Sequence, residues 1–267
     1  MAVVVERDVV TVEGPDAATY LQGQLSQDVD GLAVGDSAWT FLLQPQGKVD
    51  AWFRLTRTGA ETFRCDVDAG HGEAVLARLQ RFLLRTKADL ALSTVSMVAV
   101  RGTATVTGAP VPGLDPGWPG VEGLDLLGTD QVPDGVEVGT VEDLERLRIQ
   151  AGVPAMGAEL TERTIPAEAG VVERSVSFTK GCFTGQELVA RIDSRGGNVP
   201  RHLRRLEADG DLPVGAEILV DGQVVGEITS SVPAADGQPA VALAYIGRAV
   251  DGAADGLVAG VPVRIRP

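Results

Sequence analysis

The chain has 267 residues, 44% of them hydrophobic and only 4% aromatic, enough to bury a sizeable core in two or three compact units. A formal net charge of −14 argues against nonspecific binding to nucleic acid or to an anionic membrane surface. Charges arrive within the first eight residues and no later apolar run approaches the ~18 residues of a membrane helix, so a cytoplasmic protein is expected.

Val9–Val12 predicts a short strand. Pro15 then suits the first position of a helix with the apolar stripe Ala17, Ala18, Leu21 and Leu25. Residues 39–43 and 49–55 read as strands joined by the turn Pro45-Gln46-Gly47-Lys48, and 63–67 as a third. Residues 73–85 predict an amphipathic helix with Val75, Leu76, Leu79, Phe82 and Leu83 inward and Arg78, Arg81 and Arg85 as solvated or tail-facing positions. Strand character returns at 93–106, and 108–135 is loop-like. Thr140, with Asp143 three residues on, caps a helix over 141–149 that Gly152 and Pro154 end. Residues 166–176 read as irregular, and 185–192 as a helix. Arg195-Gly196-Gly197 marks a boundary, after which Asp221-Gly222 predicts a type I′ hairpin within a small antiparallel β unit.

Cys65 and Cys182 stand far apart in sequence, and a structural disulfide is not expected in a reducing compartment, so both thiols are expected to be free. Together with His71 and His202 they show no metal-ligand spacing, so no metal site is expected. Any iron–sulfur cluster would have to be shared between chains or with a partner. Gly70-His71-Gly72 lacks the third glycine of a dinucleotide fingerprint, and Gly47-Lys48 lacks P-loop spacing; both read as turns.

Lys180-Gly181-Cys182-Phe183-Thr184-Gly185-Gln186-Glu187 is the most informative segment. Thr184-x-x-Glu187 fits a capping box, and the first-turn amides plus the Lys180 ammonium would favour thiolate at Cys182. Gly181 and Gly185 would admit a ligand or backbone close to it. The bland alternative is a small buried residue between two glycines. Cys65, inside a strand pattern, takes that reading.

These residues resemble the YgfZ family of folate-binding proteins, relatives of the glycine-cleavage T-protein, an aminomethyltransferase. That family's signature is lysine, glycine, cysteine, an aromatic, any residue, glycine, glutamine, glutamate, then arginine four residues later. Lys180 to Glu187 and Arg191 match every fixed position. The likeness extends to the stretch 20–50, to 147–154, to 165–168 and to the carboxy-terminal strands.

The resemblance implies an α+β, T-protein-like fold with lobes around a central pocket and a C-terminal antiparallel β-barrel. Residues 1–200 would form the folate-binding-like region and 201–267 the barrel. It implies tetrahydrofolate as cofactor and iron–sulfur client or assembly proteins as partners. Cys182, with Lys180, would be the functional pair; Asp50, Gln150, Gln186, Glu187 and Arg191 would surround the folate.

Two departures separate the chain from T-protein relatives. Gln150 stands where they carry a pterin-gripping glutamate, and Gly47-Lys-Val-Asp50-Ala51 replaces their paired aspartates. An amide lacks the charge-assisted grip of a carboxylate, which argues against aminomethyl transfer from a lipoyl carrier. A one-carbon transferase using Asp50 as acid or base and a non-catalytic interaction module remain alternatives. Arg191, Arg195, Arg201, Arg204, Arg205 and His202 cluster in sequence, as a solvated strand edge or as a site for the folate glutamate tail.

Overall fold

The computed structural model describes residues 1–235 and 237–267. The amino-terminal half is built on β1 (Ala2–Glu13), α1 (Ala17–Gln24), β2 (Ser37–Leu43), β3 (Val49–Arg57) and β4 (Thr62–Asp68). α2 (Gly72–Gln80), β5 (Asp89–Arg101) and β6 (Gly123–Leu127) complete it. The strands form one six-stranded antiparallel sheet in the order β2-β3-β4-β1-β5-β6.

Strand alternation separates two buried faces. Phe53, Leu55, Phe63 and Val10 pack beneath α1 and α2 with Leu21 and Leu79. The opposite face carries Arg54, 1% exposed, whose guanidinium reaches Asp66 at 3.0 Å and Asp125 at 2.8 Å. Arg101 reaches Asp125 at 2.9 Å, and Arg7 bonds both Asp66 and Asp68. β1 is far longer than the strand expected at 9–12, because Arg7 and Asp8 are buried partners within it rather than a solvated break. Asp8 accepts from Gly70 N at 2.8 Å, Gly72 N at 2.9 Å and Thr94 Oγ1 at 2.8 Å, pinning the turn that opens α2.

α2 ends at Gln80, not at 85. Tyr20 Oη takes the carbonyl of Leu79, and Arg85 adopts a left-handed φ of 62°, which a continuing helix cannot accommodate. Phe82, expected inward, is 41% exposed, and Arg78, expected solvated, is largely covered.

α3 (Val141–Gln150) carries the Thr140–Asp143 capping box that its sequence predicts. A 3-10 turn (Pro166–Ala169), α4 (Val172–Ser175) and α5 (Gln186–Asp193) follow. The remaining strands are β7 (Arg201–Ala208), β8 (Glu217–Val220), β9 (Gln223–Val232), β10 (Ala240–Gly247), β11 (Ala254–Val258) and β12 (Val261–Arg266). They close a six-stranded barrel in the order β10-β7-β12-β11-β8-β9. Asp221 and Gly222 turn β8 into β9 with φ of 50° and 75°, the paired positive angles of a type I′ turn. Leu206, Ile218, Ala242, Ala244 and Ile265 fill the barrel.

α3 lies on the barrel exterior, with Ile149 against Val241 and Leu243. Glu159, fully buried, fastens the following loop to β9: it accepts from Thr229 at 2.7 Å and Ser230 at 2.6 Å, as well as from Arg148 at 3.1 Å and Ala155 N at 2.9 Å. Among the described residues no helix is long and apolar enough to cross a membrane.

Candidate functional site

The motif loop lies between the end of α1 and the start of α5. Lys180 Nζ donates to the carbonyls of Gln22 at 2.6 Å, Leu25 at 2.7 Å and Gln27 at 2.8 Å. An ammonium has three N–H groups, so all are spent on α1's end and none is left for a thiolate. Burial pushes Lys180 down to about 8, a drop that Asp28 and Asp30 partly oppose. The expected activating contact from Lys180 to Cys182 is therefore replaced by an anchoring one.

The helix start also differs from expectation. Gly185, at φ 82°, is the N-cap, and Thr184 makes no side-chain cap. Gln186 Oε1 instead reaches back to the Phe183 N–H at 3.1 Å, and the Thr184 N–H bonds the Gly23 carbonyl at 3.2 Å. Glycine is required at 185 on two counts: the positive φ, and a Cβ that would lie 2.5 Å from the Gln44 carbonyl and 2.8 Å from Leu43 Cβ. Cys182 thus sits three residues ahead of the helix rather than at its mouth.

Cys182 is free and exposed; Cys65 is free, fully buried, and pushed upward by burial and by Asp66. Cys182 borders a cavity of about 300 Å³ with Lys180, Phe183, Gln186 and Val189. Phe178 and Val189 also line a neighbouring cavity of about 530 Å³ walled by Ile165, Pro166, Val172 and Ile192. Phe178, 48% exposed, stands between the two.

The other sequence-predicted site residues are dispersed. Asp50 Oδ2 is held by Arg78 Nε at 2.9 Å, and Arg78 also bonds the Leu43 carbonyl at 3.1 Å and Gln24 Oε1 at 3.3 Å. Gln150 is exposed at the end of α3 and lines a separate groove with Arg205 and Arg266. Glu187 and Arg191 are both exposed on α5, in its first and last turns, and form no ion pair with each other among the described residues. Each complements the helix dipole.

The basic cluster does not converge either. Arg201 pairs with Glu168 at 3.2 Å and lies 4.2 Å over the Tyr245 ring. Arg205 holds the Gln150 carbonyl at 3.0 Å and the Pro267 carbonyl at 2.8 Å. Near-complete burial of Glu168 reflects its bonds to Arg201 and to the Ile165 N–H. Among the described residues no three histidine, cysteine or carboxylate side chains gather as a metal site.

Trp39 and Trp52 read from the sequence as core residues, and Trp52 is buried in a core cluster with Trp39 packed against it; their stacking was not anticipated. Trp39 and Trp52 stack at 4.0 Å, Trp52 Nε1 donates to Ser175 Oγ at 2.9 Å, and Arg174 lies 5.1 Å from the Trp52 ring. Burial without a carboxylate partner lowers Arg174 to about 10. A tryptophan on each of two paired strands was the available signal.

The sequence matches no family model. It is 30% identical over 235 residues to an uncharacterized protein of Haemophilus influenzae, spanning 84% of this chain and 81% of that protein. This chain belongs to the same family as that protein. Its homology extends to an aminomethyltransferase of Streptomyces avermitilis, 28% identical over 305 aligned positions that span 96% of this chain and 80% of the relative. The glycine cleavage system aminomethyltransferase T of Bartonella henselae superposes with a TM-score of 0.81 at 20% identity, covering all of this chain and 85% of that one. The fold is that of the aminomethyltransferases.

Proposed function

We propose that this chain is a tetrahydrofolate-binding accessory protein of the YgfZ type, serving iron–sulfur cluster assembly or repair through Cys182. The observation that carries the reading is an exposed free thiol at a cavity, on a loop anchored to α1, in an aminomethyltransferase fold. The anchoring leaves Cys182 accessible to a macromolecular client, whereas Cys65 is shut away.

The residues present suit a folate. The two cavities that share Phe178 and Val189 fall in the ~300–1,000 Å³ range of small-molecule sites, with apolar walls for a ring system. Gln186 uses its oxygen on Phe183 and keeps its amide N–H donors for a ligand. When bound, a reduced folate would supply one-carbon or redox-sensitive pterin chemistry; the chain's own groups orient it and shield it from water. Asp50 and Gln150 line neither cavity, so the proposal assigns them no folate contact there.

The alternative of one-carbon transfer is favoured by the Streptomyces relative. It requires Asp50 as the proton-handling group, and here Arg78 occupies that carboxylate. In cells lacking the protein, iron–sulfur enzyme activity should be restored by the wild type and by Asp50→Asn, but not by Cys182→Ala. Restoration by Cys182→Ala together with failure of Asp50→Asn would reverse the assignment.

A further inference from the structure

In a chain of net charge −14, the segment between α2 and β5 is a local exception. Arg81 and Arg85 are exposed and form no ion pair among the described residues. Between them Phe82 is 41% exposed, with the Arg78 guanidinium 4.2 Å and that of Arg81 5.9 Å from its ring. Arg85 sits in the left-handed region at φ 62°, which costs a non-glycine residue roughly 1 kcal/mol or more and directs its side chain away from the helix path. The result is a strip of cations flanking an aromatic plate.

The strip is joined to the motif. Arg78 donates to the Leu43 carbonyl, and a Cβ on the motif's Gly185 would meet Leu43 Cβ at 2.8 Å, so Leu43 touches both. From there the segment follows α1: Arg78 bonds Gln24 at one end of that helix, and the Lys87 N–H bonds Asp16 Oδ2 at the other. Eight residues of helix span about 12 Å, the reach of three or four extended residues. Arg78 is neutralised by Asp50, while Lys87, exposed and forming no ion pair among the described residues, lies beyond the aromatic plate, so the positive charge flanking Phe82 is that of Arg81 and Arg85.

We infer that the Arg81–Phe82–Arg85 strip binds the γ-linked oligoglutamyl tail of a reduced folate. Such a tail carries one carboxylate per residue on short apolar spacers, which matches guanidinium forks alternating with an apolar plate. The inference rests on the folate reading above, and it relocates the tail from the β7 arginines, two of which are already engaged. Exposed charge pairs are individually weak, so the tail tunes affinity rather than creating it.

Calorimetric titration with tetrahydrofolate monoglutamate and pentaglutamate separates the layers. Wild-type protein should bind the pentaglutamate about tenfold more tightly, with the gain lost near 1 M salt, where screening acts over about 3 Å. Arg81→Gln with Arg85→Asn, the latter tolerant of the left-handed backbone, should erase that gain and leave monoglutamate affinity unchanged. That unchanged affinity also reports that the variant is folded. Equal binding of both ligands by wild type, or a gain surviving in the variant, would overturn the tail site and leave the strip to an acidic protein partner. Failure of wild type to bind even the monoglutamate would overturn the folate reading itself.

Discussion

The six-stranded sheet and the motif loop hold their charges in opposite ways. In the sheet, Arg54, Arg7 and Arg101 share Asp66, Asp68 and Asp125 in a lattice whose central members are almost wholly buried. In the loop, a single cation, Lys180, faces three neutral carbonyls and, among the described residues, no carboxylate within bonding range. The lattice fixes a scaffold; the loop is tied to α1 through Lys180 and the Thr184 N–H and presents its thiol to solvent. Conspicuous sequence and strong structural hold therefore lie in different places.

Breaking the lattice gives the largest effect. Arg54→Leu removes the cation that Asp66 and Asp125 share and leaves each buried carboxylate with a single guanidinium, Arg7 and Arg101 respectively, a loss of about 3–5 kcal/mol and a fall of roughly 10 °C in Tm. Equilibrium denaturation measures this; a loss below about 1 kcal/mol would mean the lattice contributes little.

Acid acts on the same region. Burial would raise Asp125 and Asp8, but for Asp125 the guanidiniums of Arg54 and Arg101 prevail, and for Asp8 the bonds from Gly72, Thr94 and Gly70 prevail. Both carboxyls are thus held below the ordinary value of 3.8. The unfolded chain binds these protons more tightly, so their stabilisation is complete above that value and lost as pH falls through the depressed ones. Asp8→Asn should flatten part of the acid limb of a stability–pH profile; an unchanged limb would contradict this.

Loosening the loop should cost less. Lys180→Met removes three charge-assisted bonds, about 1–3 kcal/mol at a half-buried site. Because the ammonium is turned to α1, Cys182 should alkylate within about twofold of its wild-type rate. A large fall in rate would restore Lys180 as the thiolate's activator. The pH sign is also fixed: with Lys180 near 8 in the fold and its ordinary value 10.5, this group's contribution becomes more favourable as pH rises between the two.

Legibility followed the kind of interaction. Local periodicity and turn chemistry read correctly wherever neighbours in sequence decide the structure, as at the Thr140 cap, the Asp221-Gly222 hairpin and the strands at 39–67. They failed where a distant partner decides. β1 runs through Arg7 and Asp8 because their partners lie about sixty residues away. α2 stops early where Tyr20 of α1 bonds the Leu79 carbonyl, the next turn tightens through the Phe82 N–H to that same carbonyl, and Arg85 turns left-handed. At the site, spacing identified the Cys182 loop but placed Lys180 beside the thiol and Thr184 on the helix cap; tertiary contacts to α1 and the β2–β3 turn assign those jobs differently. The dispersal of Asp50 and Gln150 was invisible to any local pattern.

The smallest effect on stability is expected at the thiol itself. Cys182→Ala should shift unfolding by no more than about 0.5 kcal/mol, since the side chain is exposed. In the native wild type one thiol should react promptly with an alkylating reagent and the second, Cys65, only after unfolding.

The central claim is that an aminomethyltransferase-like fold here keeps a folate site and adds a separately functioning thiol. Calorimetric titration with tetrahydrofolate on wild type and on Cys182→Ala tests it most directly. Saturable one-site binding of similar affinity by both proteins is the predicted result. Absence of binding in the wild type would contradict the claim, and binding lost only in Cys182→Ala would make the thiol part of the folate site.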